Sequence, residues 1–219
     1  MDLWSTVWLS IKIAFIASVL VMLCATLLAK KLIKTRSILA KIIELLIYVP
    51  MAMPPVALGY GLLLALGPNS FLGSIFHKIQ LDVAFTFLGA VLASFVASLG
   101  IGLRIMKLAF LSIPKEQKEV AEVLGASEWQ IFYHICWPQS RQSFMAGLIL
   151  VFIRALGEFG ATMILVGSSI NGHRTLAMAI WVGMEMPDQE NLCFKLVLIS
   201  VFLSVLALIS AELVKGKER

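Results

Sequence analysis

Residues 119–138 read EVAEVLGASEWQIFYHICWP. Glu119, Glu122, Glu128 and His134 make this stretch polar, Gly125 divides it and Pro138 closes it. The chain on either side is largely hydrocarbon, so the stretch is a polar insert between apolar spans. Pro114, just upstream, suits the first turn of a helix, where its missing donor costs nothing. Glu116 and Glu119 suit the positive end of the same helix. Val120, Val123 and Leu124 fall at i, i+3 and i+4 and form one apolar stripe. Gly125 permits a sharp reversal at the helix end. Ser127 with Gln130 three residues on has the pattern of a capping box, which starts a second short helix. Trp129, Ile131, Phe132 and Ile135 give that helix a bulky apolar surface. The spacing thus predicts two short helices joined at Gly125, within a loop of about 112–140. Pro138 either ends the second helix or marks the start of the next span. A pair of this kind either caps a helix bundle or lays its apolar face into a groove on a partner.

The chain has 219 residues, of which 60% are hydrophobic and 14% charged, and its mean hydropathy is +0.94. A soluble domain is about half apolar and a quarter charged. The composition therefore describes an all-α integral membrane protein, with a single membrane domain over residues 1–219. A helix needs about 20 apolar residues to cross the hydrocarbon core. Five segments qualify, at about 8–29, 42–66, 84–103, 143–166 and 194–214. The opening MDLWSTVWLS has no basic region and no small-residue cleavage site, so the first apolar run is expected to be a retained span. Cys24, Cys136 and Cys193 share no metal-like spacing and are read as free thiols. No metal, cofactor or nucleic acid is expected.

The basic residues orient the spans. Lys30, Lys31, Lys34, Arg36 and Lys41 lie between the first and second, and Arg104, Lys107, Lys115, Lys118 and Arg141 between the third and fourth. With Lys215, Lys217 and Arg219 in the tail, these are thirteen of the 18 basic residues. The positive-inside rule puts them in the cytoplasm, with the N-terminus outside and the C-terminus inside.

Three stretches depart from plain hydrocarbon. Span two contains Pro50, Pro54 and Pro55, each of which removes a backbone donor and disfavours helix at the preceding residue. A break there either lines a translocation path or is a packing kink. The outer loop 167–193 contains TLAMAIWVGMEM, too short to span and expected to be a helix on the surface or tucked between spans. In span four, Arg154 and Glu158 are placed at i and i+4 on one helical face. They are either a structural ion pair or part of the path of an anion. Gly157 and Gly160 flank Glu158 and permit close approach of helices, including at an interface between two copies of the chain. His173 and Arg174 either meet an acidic patch on a partner or belong to a solvated loop.

Glu119, Ala121, Gly125, Ile135 and Pro138 resemble the EAA loop of ABC importer permeases: E-A-A, three residues, G, nine residues, I, one residue, L-P. Val120 and Trp137 replace the family's Ala and Leu, and both remain apolar. The resemblance implies a type I importer permease fold whose loop is a coupling helix seated on a separate ATPase. The chain has no G-x-x-x-x-G-K-[ST] phosphate loop of its own. PMAMPPVALGYGLL in span two and IRALGEFGATMILVG in span four are similar to the permeases for tetrahedral oxyanions, most of all those for molybdate.

That likeness implies a homodimer working with two ATP-binding subunits, an extracytoplasmic oxyanion-binding protein and membrane lipid, in a prokaryotic inner membrane. It implies no catalytic residue on this chain. Pro54, Pro55, Arg154, Glu158 and Gly160 are its candidate pathway or packing residues. The alternatives are a sulfate or thiosulfate permease, a secondary transporter, or a non-transporting assembly protein. A secondary transporter would show two repeated halves, which this sequence lacks.

Overall fold

The computed structural model describes residues 2–35, 37–80, 82–170, 172–187 and 189–215. Arg36, Lys217, Arg219 and the side chain of Lys215, all used above for orientation, lie outside the described residues.

α1 (Leu3–Lys34) opens at Asp2, whose carboxylate accepts the Trp4 N–H at 3.2 Å, and carries Lys31 and Lys34 in its last turn. Those cations suit the negative end of the helix, so α1 continues past the apolar run. α5 (Phe87–Leu111) is the other long central helix, and it runs on through Arg104 and Lys107. The sequence reading placed both residues in a loop; they belong to the end of a helix that outlasts its span.

α1 and α5 pack along their length. α1 buries Ala14, Ala17, Val21, Ala25 and Ala29, and α5 buries Ala90, Ala93 and Ala97. A Cβ on Gly102 of α5 would lie 2.6 Å from Val21 Cγ1. Lipid tails are as apolar as leucine, so helices in a bilayer associate through close packing, and small residues let the backbones approach.

Span two is not one helix. α2 (Ile38–Ala52) passes through Pro50 without ending, and the break comes at Met53 and Pro54. α3 (Pro55–Leu66) starts with Pro55 at its first position, where a missing N–H is tolerated. α3 is followed by α4 (Phe71–Lys78), bent from it by 59°. α2 is tied to α5 by Lys107 Nζ, 2.5 Å from Glu44 Oε1, and Tyr48 donates to the same oxygen at 3.3 Å.

After α5 in the chain, α6 (Lys115–Val123) and α7 (Glu128–Ile131) form the predicted helix pair. α7 does not end at Pro138. It runs through a π-helical turn, Phe132–Cys136, into α8 (Trp137–Leu156), with Pro138 in the first turn of α8. α9 (Gly160–Val166) follows after a break, so span four is interrupted as well, with a 59° bend. α10 (Leu176–Met184) buries Leu176, Met178 and Ala179; the helix of the 167–193 loop is tucked between spans. α11 (Glu190–Lys215) packs on α8 and α10 and leaves much of its surface uncovered.

Among the described residues, α1, α5 and α11 are long and apolar enough to cross a membrane. The number rises to five if each bent pair, α3 with α4 and Glu128–Leu156 with α9, counts as one span. The expected span 42–66 takes in most of α2 and all of α3, which part at Met53 and Pro54.

Candidate functional site

Two places in this fold carry the residues singled out by the sequence. The first is the helix pair. Gly125 has φ +85°, a conformation that L-residues with a Cβ rarely adopt. Its N–H donates to Glu122 O at 2.9 Å, and the Ala126 N–H reaches back to Ala121 O at 2.9 Å. This is the paired Schellman closure of a helix end, and it satisfies two otherwise orphaned carbonyls of α6. Ser127 then caps α7: Gln130 N–H donates to Ser127 Oγ at 3.4 Å, and the Gln130 side chain accepts the Ser127 N–H at 2.7 Å.

The turn brings Ala121, Gly125 and Ile135 together around an open groove of about 330 Å³, with Leu124, Gln130 and His134. Glu119 and Pro138 are exposed and do not line it. α6 buries no residue at all: Val120 is 59%, Val123 87% and Leu124 81% exposed. The apolar stripe therefore does not cap the bundle of its own chain.

The pair is pinned to the end of α1. Lys34 Nζ lies 2.6 Å from Glu128 Oε1, and this hydrogen bond holds the Glu128 carboxyl below its usual pKa. Lys30 Nζ sits 3.9 Å from the Trp129 ring centre and 4.4 Å from that of Phe132, a cation–π contact. Sequence periodicity could not find these partners, because they lie about a hundred residues away on another helix.

The second place is where spans two and four break. Arg154 is in the last turn of α8, but Glu158 lies beyond it, in the break, so the two are not on one continuous helical face. Arg154 Nη1 donates to Glu158 Oε2 at 2.7 Å, and Glu158 Oε1 accepts the Ala161 N–H at 2.9 Å. One carboxylate thus holds the end of α8 and the start of α9 together. The Glu158 side chain is 1% exposed and that of Arg154 33%, so the pair reaches from the interior toward the surface.

The two breaks face each other. A Cβ on Gly160 would lie 2.7 Å from Pro55 Cβ and 3.2 Å from Val56 N, and one on Gly59 would lie 2.7 Å from Ala161 O. Gly160 is thus filled by its own chain's α3, whereas the sequence reading had allowed an interface between permeases. A Cβ on Gly157 would meet only carbonyl oxygens, 3.7 and 4.0 Å away. Pro54, at the N-cap of α3, is exposed and accepts the Leu58 N–H. Between α9 and α10, His173 pairs with Ile170 through the backbone, and Arg174 Nε donates to Ser168 O at 3.1 Å, so both belong to a folded turn. Cys24, Cys136 and Cys193 are free thiols.

A polar insert whose apolar stripe its own bundle leaves bare, attached to broken membrane helices, is the architecture of a transporter's membrane subunit. Residues 21–217 match the family described as binding-protein-dependent transport system inner membrane component, and the chain belongs to that family. It is a multi-pass protein of the inner membrane.

Among curated relatives, the chain is 35% identical to the molybdenum transport system permease protein ModB of Haemophilus influenzae, over 86% of this chain and 81% of that protein. It is 30% identical to ModB of Escherichia coli K12, over 95% and 92%. The sulfate transport system permease protein CysW of the same strain is 31% identical, over 86% of this chain but 64% of its own length. In fold, the chain resembles a bacterial ABC transporter that imports the acidic polysaccharide alginate, with a TM-score of 0.78 at 15% identity, covering 100% of this chain and 81% of the other.

Proposed function

We propose that this chain is the membrane-spanning permease subunit of an ATP-driven importer that carries molybdate, or the similar tungstate, into the cytoplasm. The ModB relatives match over most of both chains, whereas the sulfate permease CysW is matched over a smaller share of its length, so molybdate is favoured over sulfate. The whole chain, 1–219, acts as one permease domain. It works as a homodimer with two ATP-binding subunits, where hydrolysis takes place, and with an extracytoplasmic binding protein that delivers the oxyanion.

The observation that carries this reading is the uncovered stripe of α6. Val123 and Leu124 are more than four-fifths exposed although apolar, on a helix none of whose residues is buried. A docked partner removes that cost, and an amphipathic helix entering a groove does so with anchors at this spacing. Glu119, Ala121, Gly125, Ile135 and Pro138 form the coupling segment. Closure of the ATP-binding subunits moves it, and α7, continuous with α8 through the π turn, passes the motion to the break in span four. Arg154, Glu158, Gly160, Pro54 and Pro55 hold the two broken spans in register. The N-terminus faces outward and the C-terminus the cytoplasm, because the basic residues cluster on the side of the coupling segment.

Co-purification tests the reading. Wild-type chain should bring down its ATP-binding subunit, and Val123→Asp with Leu124→Asp should release it while the permease still inserts. Retention of the subunit by the double variant overturns the docking assignment. Reporter fusions after Lys34 and Lys118 should read cytoplasmic and one at Asn69 external; a cytoplasmic Asn69 reverses the orientation.

A further inference from the structure

Behind the break in span four is a small buried polar void. Ser10 of α1, Ser94 of α5, Glu158 at the break, Thr162 in the first turn of α9 and Thr175 at the N-cap of α10, with three apolar residues, line a space of about 10 Å³. None of the five polar residues is more than 6% exposed. Ser10 Oγ is occupied, since it donates to Thr6 O at 3.0 Å and accepts the Leu176 N–H at 2.7 Å. Thr175 Oγ1 accepts the Met178 N–H. Ser94 Oγ and Thr162 Oγ1 have no hydrogen-bond partner among the described residues.

A helical hydroxyl has an easy local partner in the carbonyl three or four residues back. Ser18, Thr26, Ser200 and Ser204 all use it here. Ser94, Ser98 and Thr162 do not. Ser94 and Thr162 line the same space, and Ser98, one turn further along α5, lies outside it. A buried hydroxyl without a partner carries an uncompensated desolvation cost. One water needs roughly 10–15 Å³ and two to four polar partners.

We propose that this void is a binding site for a single structural water. It bridges the Ser94 and Thr162 hydroxyls and the lone pairs that Glu158 does not use on Arg154 and Ala161. The chemistry favours a neutral occupant. Arg154, 2.7 Å away, already balances the charge of Glu158. A hard cation would collect about six oxygens, more than so small a space accommodates. The site joins α1, α5, the α8–α9 break and the start of α10. Ordered water is one of the ways a broken membrane helix satisfies its freed polar groups. It does so without locking the bend, because a water can turn where a side chain cannot.

The test uses the purified complex with its ATP-binding subunit. Thr162→Val and Ser94→Ala should each lower its thermal midpoint by about 2–4 °C. Together they should lower it little further, because both lose the same water. A density map of the wild-type complex near 2 Å resolution should show one peak within hydrogen-bonding distance of Ser94 Oγ and Thr162 Oγ1. An unchanged or raised midpoint in either single variant overturns the proposal, since removing an unpaired hydroxyl from a dry void stabilises. So do additive losses, an empty void in the map, or a wild-type midpoint that falls when sodium is exchanged for choline, which marks a cation. If a variant does not assemble, the map alone decides.

Discussion

Gly125 stands at φ +85° with nothing within 4 Å of where a Cβ would be. Within the chain, substitution there acts through the backbone alone. A left-handed conformation costs roughly 1–2 kcal/mol for an ordinary L-residue and suits Asn better than most. Gly125→Val should therefore insert normally yet cut both uptake and transport-stimulated ATP hydrolysis, while Gly125→Asn should keep most of each. Normal uptake with Val contradicts the lever role of the segment. This residue was legible in the sequence, because a helix stripe ending at a glycine followed by a capping box has few other readings.

Glu158 was less legible. Its i, i+4 spacing from Arg154 reads as one helical face, but the helix stops at Leu156 and the carboxylate spends its second oxygen on Ala161. Arg154→Met should leave a buried unpaired carboxylate and cost about 3–5 kcal/mol, seen as a large fall in folded yield. Replacing Arg154 with Met and Glu158 with Leu removes that charge. It still forfeits the Ala161 cap, worth about 1 kcal/mol. The double variant should recover most folding and most transport. An assembled, ATP-hydrolysing double variant with poor uptake would assign Arg154 to the anion's path instead.

At the scale of elements, the two broken spans interlock by absence of side chain. The Cβ of Gly160→Ala would stand 2.7 Å from Pro55 Cβ and 3.2 Å from the Val56 backbone, so the start of α3 must shift. Overpacking of this kind costs about 1–3 kcal/mol. Gly61→Ala, two residues along α3 from Gly59, meets nothing within 4 Å and should stabilise slightly through helix propensity. Thermal midpoints of the two variants should move in opposite directions; a neutral Gly160→Ala contradicts the contact.

The prolines announced a break in span two but could not say which would make it. Pro50 is carried inside α2, and the chain parts only at Met53 and Pro54, where two prolines follow one another. Nothing in the local pattern shows that α3 then folds against α9, because that contact rests on two glycines a hundred residues apart. The same holds for the attachment of the coupling pair to α1. Lys34 and Glu128 are each unremarkable surface charges in sequence, and only the fold makes them partners. The depressed pKa of Glu128 gives this contact a pH sign. Its contribution is fully present above the carboxyl's unfolded value and is lost only as pH falls through the lower folded value, so it is constant across neutral pH.

For the molecule as a whole, composition was enough to place the chain in a membrane, and helical spacing was enough to find the polar helix pair that turns at Gly125. The packing was not legible at that scale. Small residues along α1 and α5 look like ordinary hydrocarbon until the two helices are set together, and the serine and threonine cluster behind Glu158 has no periodicity to betray it. The outward faces of α2 and α11, with Leu45, Leu46, Phe194 and Phe202 each more than three-fifths exposed, belong against lipid or a second copy of the chain.

The central claim is that movement of the insert, powered elsewhere, opens a path for an oxyanion. The direct measurement is uptake of labelled molybdate by vesicles holding this permease, its ATP-binding subunit and its binding protein. Uptake should require ATP, rise and fall with hydrolysis, be suppressed by tungstate and be little affected by an equal concentration of sulfate. Uptake that proceeds without nucleotide, or hydrolysis stimulated by the loaded binding protein with no molybdate entering, would contradict the account.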